Sequence, residues 1–438
     1  MNTNEAGVRP AKLPGIHALR AFAALTIYVA HVVVSSPHLS LPLAQLSLRH
    51  LVMAVQLFFV VSAFSLMYST RPYAGSSRWV ARFYLKRYAR IAPLFYVMMP
   101  VTAFYSYWLY GTAPTVTSTL LSATFLFNVI PEYSPSLVWA GWSVGVEMLF
   151  YLVFPVCILF LRGVRSTAAL LLVSIVVGEL ARPALDRSAT LYLVTPGQVS
   201  IVTNFRFFVF GILAFHVYEA LERRYAFSSD TRRGPAWMVH LALFALCGAL
   251  TAAVVLEYDW LRARFFLDWI IWGVVFAVLT VWMSVGPFRW LDLAPVQLLG
   301  ERSYSLYLIH LPIIVAAQPY TMTMFRAFED LVGPLALAAT LIAIYIPVVA
   351  ISFIAYSVIE RPGIALGHRL ERRLRGVGPR GVGPRGDGPR GVGARGVGSG
   401  TAPLPRTIMP SPAAGSVVEG ARAQNRRSID TSNVRPRA

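Results

Sequence analysis

Apolar residues along this chain come in long blocks, each close to the roughly 20 residues a helix needs to cross a bilayer. Ten blocks run over approximately 16–36, 50–70, 91–111, 143–162, 165–182, 203–221, 236–256, 266–285, 303–320 and 335–358. The fifth is the weakest: it is short, contains Glu179 and stops at Arg182-Pro183. The pattern predicts an all-α, polytopic membrane protein with about ten transmembrane helices.

Two stretches depart from it. The connection over 112–142 is too apolar for a solvated loop, yet "STLLSATFLFNVI" is too short to span. It reads as a re-entrant or interfacial segment packed on protein. Beyond the last block, "RGVGPRGVGPRGDGPRGVGARGVGSG" repeats a five-residue unit that cannot bury a core. Disorder is expected there. The expected division is a cytoplasmic N-terminal segment over 1–14, a transmembrane domain over 15–370 and a disordered tail over 371–438.

Composition agrees with a membrane protein. Hydrophobic residues make up 56% and charged residues 13%, with a mean hydropathy of +0.59. Soluble domains carry about 25% charged residues. The formal charge of +19 does not point to nucleic acid, because 15 of the 39 Lys+Arg follow position 360. Most of the others sit in short connections. With the N-terminus inside, inner segments before the tail hold 17 and outer segments 7, Arg206 among the latter. That bias predicts a multi-pass protein of the inner (cytoplasmic) membrane with both termini cytoplasmic. Cys157 and Cys247 fall inside apolar blocks with no pairing pattern, so neither a disulfide framework nor a metal site is expected. The first block reads as a retained span rather than a cleaved signal.

Charged groups inside spans are costly, so each invites a functional reading. His31, Glu147 and His310 lie within blocks, and Arg20, Arg87, Arg90 and Glu360 lie at their cytoplasmic ends. Arg20 and His31 are separated by three helical turns plus roughly 20°, so they share a face. Counting rise per residue sets His31 and Glu147 each roughly 7 Å below the outer edge, and His310 roughly 10 Å above the inner edge. An imidazole can take a proton near neutral pH and a carboxylate can orient it. Guanidinium groups suit phosphates. Plainer readings compete: Arg78 and Arg82 serve as topology anchors, and "WVARFYLKRYAR" as an amphipathic basic helix on the inner leaflet. From spacing alone, catalysis and transport fit equally.

Six segments in order resemble the acyltransferase-3 family of integral membrane O-acyltransferases: "LRAFAALTIYVAH", "LFFVVSAFSLMYS", "RFYLKRYARIAPLFY", "WSVGVEMLFYLVFP", "LGERSYSLYLIHLP" and "IERP". Two positions depart from the family pattern. Ala63 replaces a glycine in the second span, and Met148 replaces an acidic residue after Glu147. The resemblance implies transfer of an acyl group, commonly acetyl, from cytoplasmic acyl-CoA to a hydroxyl of a cell-surface or exported carbohydrate. By position it also implies that Arg20, His31, Arg87 and Arg90 are functional. Together with the residue-level reading it gives catalytic His31 and Glu147, with the carboxylate orienting the imidazole. Arg20, Lys86, Arg87 and Arg90 would hold the donor, and Ser303, Tyr304 and His310 would line the substrate path. No metal and no permanently bound cofactor are expected; acyl-CoA enters as donor substrate. The expected partners are acyl-CoA, a carbohydrate or glycolipid acceptor and membrane lipids, not nucleic acid. The competing class is a transporter or flippase of a glycolipid or acylated small molecule, although no internal repeat of the transporter kind is visible.

Overall fold

A computed structural model describes residues 13–36, 50–187, 195–225, 236–256, 267–286 and 289–374. Among them there is no strand. The helices are α1 (Pro14–Ser35), α2 (Ala54–Thr70), α3 (Trp79–Tyr110), α4 (Val116–Ala123), α5 (Trp142–Phe160), α6 (Val164–Arg187) and α7 (Ile201–Tyr225). There follow α8 (Ala236–Leu256), α9 (Leu267–Val285), α10 (Ala294–Glu301), α11 (Ser303–Ala317), α12 (Thr321–Val332), α13 (Ala336–Ala355) and α14 (Arg361–Leu374). Eight helical stretches among the described residues are long and apolar enough to cross a membrane. The count differs from ten in two places. The ninth and tenth blocks fall in one stretch, Ser303–Leu374. The third block lies in α3, where tyrosines and prolines dilute the apolar half.

Helix α3 has 32 residues, or about 48 Å at 1.5 Å per residue, against a hydrocarbon core of about 30 Å. Its first half is the basic segment expected to lie along the leaflet; it runs on without a break into the span. Pro93 and Pro100 lie inside the helix, and Gly111, at φ 66°, ends it.

The connection between α3 and α5 packs on protein, as its apolarity requires. Thr115 caps α4 by accepting from the Ser118 amide at 3.1 Å. Phe125 and Phe127 are buried, with ring centroids 4.7 Å and 6.2 Å from that of Phe95. Asn128 donates to the Val199 carbonyl at 2.7 Å and accepts from the Ile201 amide at 2.8 Å. It thereby ties the connection to the start of α7.

Close helix crossings use small residues, as packing within a membrane favours. A Cβ on Gly211 of α7 would stand 2.2 Å from the Val60 carbonyl oxygen and 2.8 Å from Cβ of Ala63. The glycine missing from the second-span motif at Ala63 is thus supplied by the partner helix. Gly300 of α10 lies against α1, where an added Cβ would come within 2.0 Å of the His17 carbonyl oxygen.

One charge and one boundary take different places from those expected. Arg206, counted among outer-loop charges, lies inside α7 and is fully buried. It forms an ion pair with Glu179 of α6 and donates from Nε to the Thr203 carbonyl at 2.7 Å. Its guanidinium and that of Arg182 approach the Trp269 ring, at 5.8 Å and 4.5 Å from the centroid. The pairing makes the weak fifth block tenable as a membrane helix. At the other end, α14 carries helix through Leu374, past the expected boundary at 370. The repeat tail expected to be disordered lies outside the described residues, as do residues 1–12 of the expected N-terminal segment.

Removing one partner of a buried ion pair strands the other charge, a loss of about 3–5 kcal/mol. Glu179→Ala is therefore expected to lower the thermal unfolding midpoint of the protein in detergent sharply. The double variant Glu179→Met with Arg206→Met is expected to recover most of it.

Candidate active site

Five helices turn polar side chains toward one cavity of about 660 Å³ empty volume. Arg87, Arg90 and Ile91 lie three and four residues apart on α3, so they share a face. On α5 the spacing of four repeats, through Ser143, Glu147 and Tyr151. On α11, Ser303, Tyr304 and Tyr307 point the same way, while Ser62 comes from α2 and Arg20 from α1. All of these line the cavity.

Inside it, Glu147 accepts hydrogen bonds from the Ser62 hydroxyl and the Tyr151 phenol, each at 2.5 Å. Tyr304 donates to the Ile91 carbonyl at 2.7 Å. The Tyr307 hydroxyl donates to the Ala140 carbonyl at 2.9 Å and accepts from Ser143 at 2.8 Å. Arg20 reaches the Ser65 hydroxyl at 3.4 Å.

The cations differ in how they are held. Arg90 lies 3.7 Å from Glu360, a fully buried carboxylate that also accepts from Ser305 at 2.7 Å. Glu360 closes a π-helical turn, Tyr356–Glu360, and such turns recur at functional positions. Arg87 rests on the rings of Phe83 and Tyr151, each centroid 5.9 Å away. Its buried Nε has no hydrogen-bond partner. Lys86 departs from the expected donor-binding set: it is 3.0 Å from Glu371 of α14, which Arg82 also approaches at 3.4 Å. One residue along a helix is about 100° of rotation, so Lys86 faces α14 while Arg87 faces the cavity.

The histidines require a second correction. His31 does not meet Glu147. Its Nδ1 lies 2.9 Å from the Ile27 carbonyl and 3.3 Å from Nε2 of His310, with the rings edge-on at 5.0 Å. Similar depth gave no information on azimuth, and Glu147 is turned to Ser62 and Tyr151 instead. His310, expected in the inner part of the path, does not line the cavity and joins His31. The close crossing of Gly300 on His17 sets α11 beside α1, so His310 stands ten residues beyond that crossing and His31 fourteen. That is a difference of roughly 6 Å along the axes, which the side chains bridge.

The network assigns the tautomers. A carbonyl only accepts, so Nδ1 of His31 carries hydrogen toward Ile27. Nδ1 of His310 does the same toward the Tyr307 carbonyl, 2.5 Å away. That leaves His310 Nε2 as an acceptor for the His31 N–H, and His31 Nε2 with a free lone pair. The His310 ring is 5.6 Å from that of Tyr307, a residue that lines the cavity.

The family profile described as "Acyltransferase domain" matches residues 13–357. The chain belongs to this family. The resemblance therefore holds across α1–α13, with five of the six short motifs inside the matched region and "IERP", residues 359–362, just beyond it. Every cavity residue named above lies in the matched region. Over 335 residues the chain is 26% identical to Peptidoglycan O-acetyltransferase OatA of Listeria monocytogenes serovar 1/2a, a match covering 70% of this chain and 50% of that protein. The chain thus spans about half the length of the curated relative it matches. No solved structure matches.

Within this acyltransferase domain, several cavity residues lay outside the sequence-based set: Ser62, Ser143, Tyr151 and Tyr307. The four-residue spacing of Ser143, Glu147 and Tyr151 was a signal available in the sequence. Nothing comparable announced Tyr307.

In protein labelled with 15N-histidine, His31 and His310 are each expected to give the Nδ1–H tautomer pattern at neutral pH. His310→Phe should shift the His31 resonances. A dominant Nε2–H form of His31 would remove the assignment.

Proposed function

We propose that this chain is a membrane O-acyltransferase that moves an acyl group, acetyl in the first instance, from acyl-CoA to a carbohydrate hydroxyl. The observation that carries the reading is the juxtaposition of two chemistries. A cavity holds three guanidinium groups against one carboxylate, and Tyr307, which lines it, contacts an imidazole pair whose outer member offers a free nitrogen. The name of the relative, a peptidoglycan O-acetyltransferase, supports acetyl transfer to a carbohydrate.

The cationic end suits the phosphates of acyl-CoA. Arg87, whose Nε has no protein partner, is the cation freest to bind an anion. Arg90 is held in place by Glu360 and Arg20 completes the patch. Glu147, fixed by Ser62 and Tyr151, limits the positive charge of the cavity and positions its hydrogen-bonding groups. The basic start of α3 and the basic α14 lie toward one end of the bundle, which supports a cytoplasmic face there, with donor entering from it and both termini on that side of an inner membrane.

For transfer, Nε2 of His31 takes the proton of the acceptor hydroxyl while its oxygen attacks the thioester carbonyl. The carbon–sulfur bond breaks, CoA leaves as thiolate, and the imidazolium returns the proton to sulfur. His310 and the Ile27 carbonyl hold the imidazole in the tautomer this requires.

In protein reconstituted into lipid vesicles, with free thiol as the readout, His31→Ala is expected to lower kcat by roughly 10²–10⁴-fold, with membrane protein levels normal. Acceptor translocation without thiol release would favour the transporter class instead. Arg87→Ala should raise the KM for acyl-CoA by roughly ten- to hundredfold, the loss of one charge-assisted hydrogen bond. Lys86→Ala, whose partner is Glu371, should stay within about twofold of the wild type. Equal effects at positions 86 and 87 would overturn the assignment of Arg87 to the donor.

A further inference from the structure

A second concavity lies where α3 ends and α5 begins, with about 810 Å³ of empty volume. Its walls carry the rings of Tyr133 and Trp139, the hydroxyls of Ser106, Thr115 and Ser118, and the carboxylate of Glu132. Resting on the acyltransferase reading, we propose that this groove is a saccharide subsite. It would hold the units of an oligo- or polysaccharide acceptor that flank the sugar being acylated.

The lining selects the ligand class. Residues 112–142 contain no Lys or Arg, so the segment offers no cation to a phosphate or other anion. The Thr115 and Ser118 hydroxyls bond within the first turn of α4, but each keeps a further hydrogen-bonding position that a polyol can use and an alkyl chain cannot. What remains is a neutral polyol with apolar C–H faces, a match for two aromatic rings bordered by hydroxyls and one carboxylate. The Trp139 ring is braced by Tyr105, centroid to centroid 5.9 Å. It therefore presents a fixed surface.

Groove and cavity are joined by one short segment. Trp139 lines the groove and Ser143, four residues on, lines the cavity. Between them the Ala140 carbonyl accepts the Tyr307 hydroxyl. Ala140 and Ser136 both hold positive φ, 61° and 76°, conformations unfavourable for residues with a Cβ. Their surroundings clamp them. The Ser136 hydroxyl accepts from the Val138 amide at 3.2 Å, and a Cβ on Gly141 would stand 2.7 Å from Ser136 Oγ. Strain of this kind persists where the structure over-determines it, often beside a binding site. A sugar presented near Tyr307 would have its neighbours along the chain beside Trp139, so the geometry favours a multi-unit acceptor over a single sugar.

The test uses the full chain in lipid nanodiscs, labelled acetyl-CoA and the surface polysaccharide of the source cells, intact or digested to mono- and disaccharides. The intact polymer should have a KM, per sugar unit, at least tenfold below that of the fragments. Trp139→Ala should raise the polymer KM at least tenfold with kcat within twofold, and Trp139→Phe should restore most of it. Glu132 is exposed, so Glu132→Gln leaves the fold intact and should raise the polymer KM severalfold. Equal KM for polymer and fragments, or a polymer KM unmoved by both Trp139→Ala and Glu132→Gln, would overturn the subsite while leaving acyl transfer standing. Absence of label from every glycan with the wild-type protein would overturn the acyltransferase reading and the subsite with it.

Discussion

A charge inside an apolar bundle must find its partner within the protein, and that requirement sorts the cations of this chain. Arg206 takes Glu179, Arg90 takes Glu360, and Arg82 and Lys86 share Glu371. The pairings join α7 to α6, and α3 to the π-helical turn Tyr356–Glu360 and to α14. Arg87 is held by aromatic faces and keeps a buried nitrogen without a partner. Of these cations Arg87 and Arg90 line the cavity, while Arg82, Lys86 and Arg206 do not.

The second determinant is how closely the helices approach. Gly211 lets α7 lie on α2 at Val60 and Ala63, and Gly300 lets α10 lie on α1 at His17. Because α11 follows α10 directly, the second crossing fixes the height at which α11 runs beside α1. The contact between His31 and His310 is a consequence of that register, as is the contact of Tyr307 with His310. Backbone approach at one end of the bundle thus sets side-chain chemistry ten or more residues away.

The start of α5 connects these features. Its polar stripe of Ser143, Glu147 and Tyr151 belongs to the cavity, while Ser136 and Trp139 just before it line the second concavity. Tyr307 bonds to both parts, through Ser143 and the Ala140 carbonyl. One tyrosine on α11 therefore ties together two helices, the cavity wall and the turn that separates the two concavities.

The sequence by itself determined the class of the protein, its long apolar helices, the apolar connection packed on protein, and the family, because six motifs fall in order along the chain, on or beside the first four and the last two apolar blocks. It also picked out six of the ten polar residues that line the cavity: Arg20, Arg87, Arg90, Glu147, Ser303 and Tyr304 all face one space. Tertiary structure alone decided who meets whom. Depth along a helix follows from counting residues, but azimuth and register between helices depend on which small residues permit contact. For that reason Glu147 binds Ser62 and Tyr151 rather than His31, His310 rises to meet His31, and Lys86 turns to Glu371. Arg206 reads as a loop charge in sequence and becomes a buried partner of Glu179, since only the packing of α6 on α7 brings the two together.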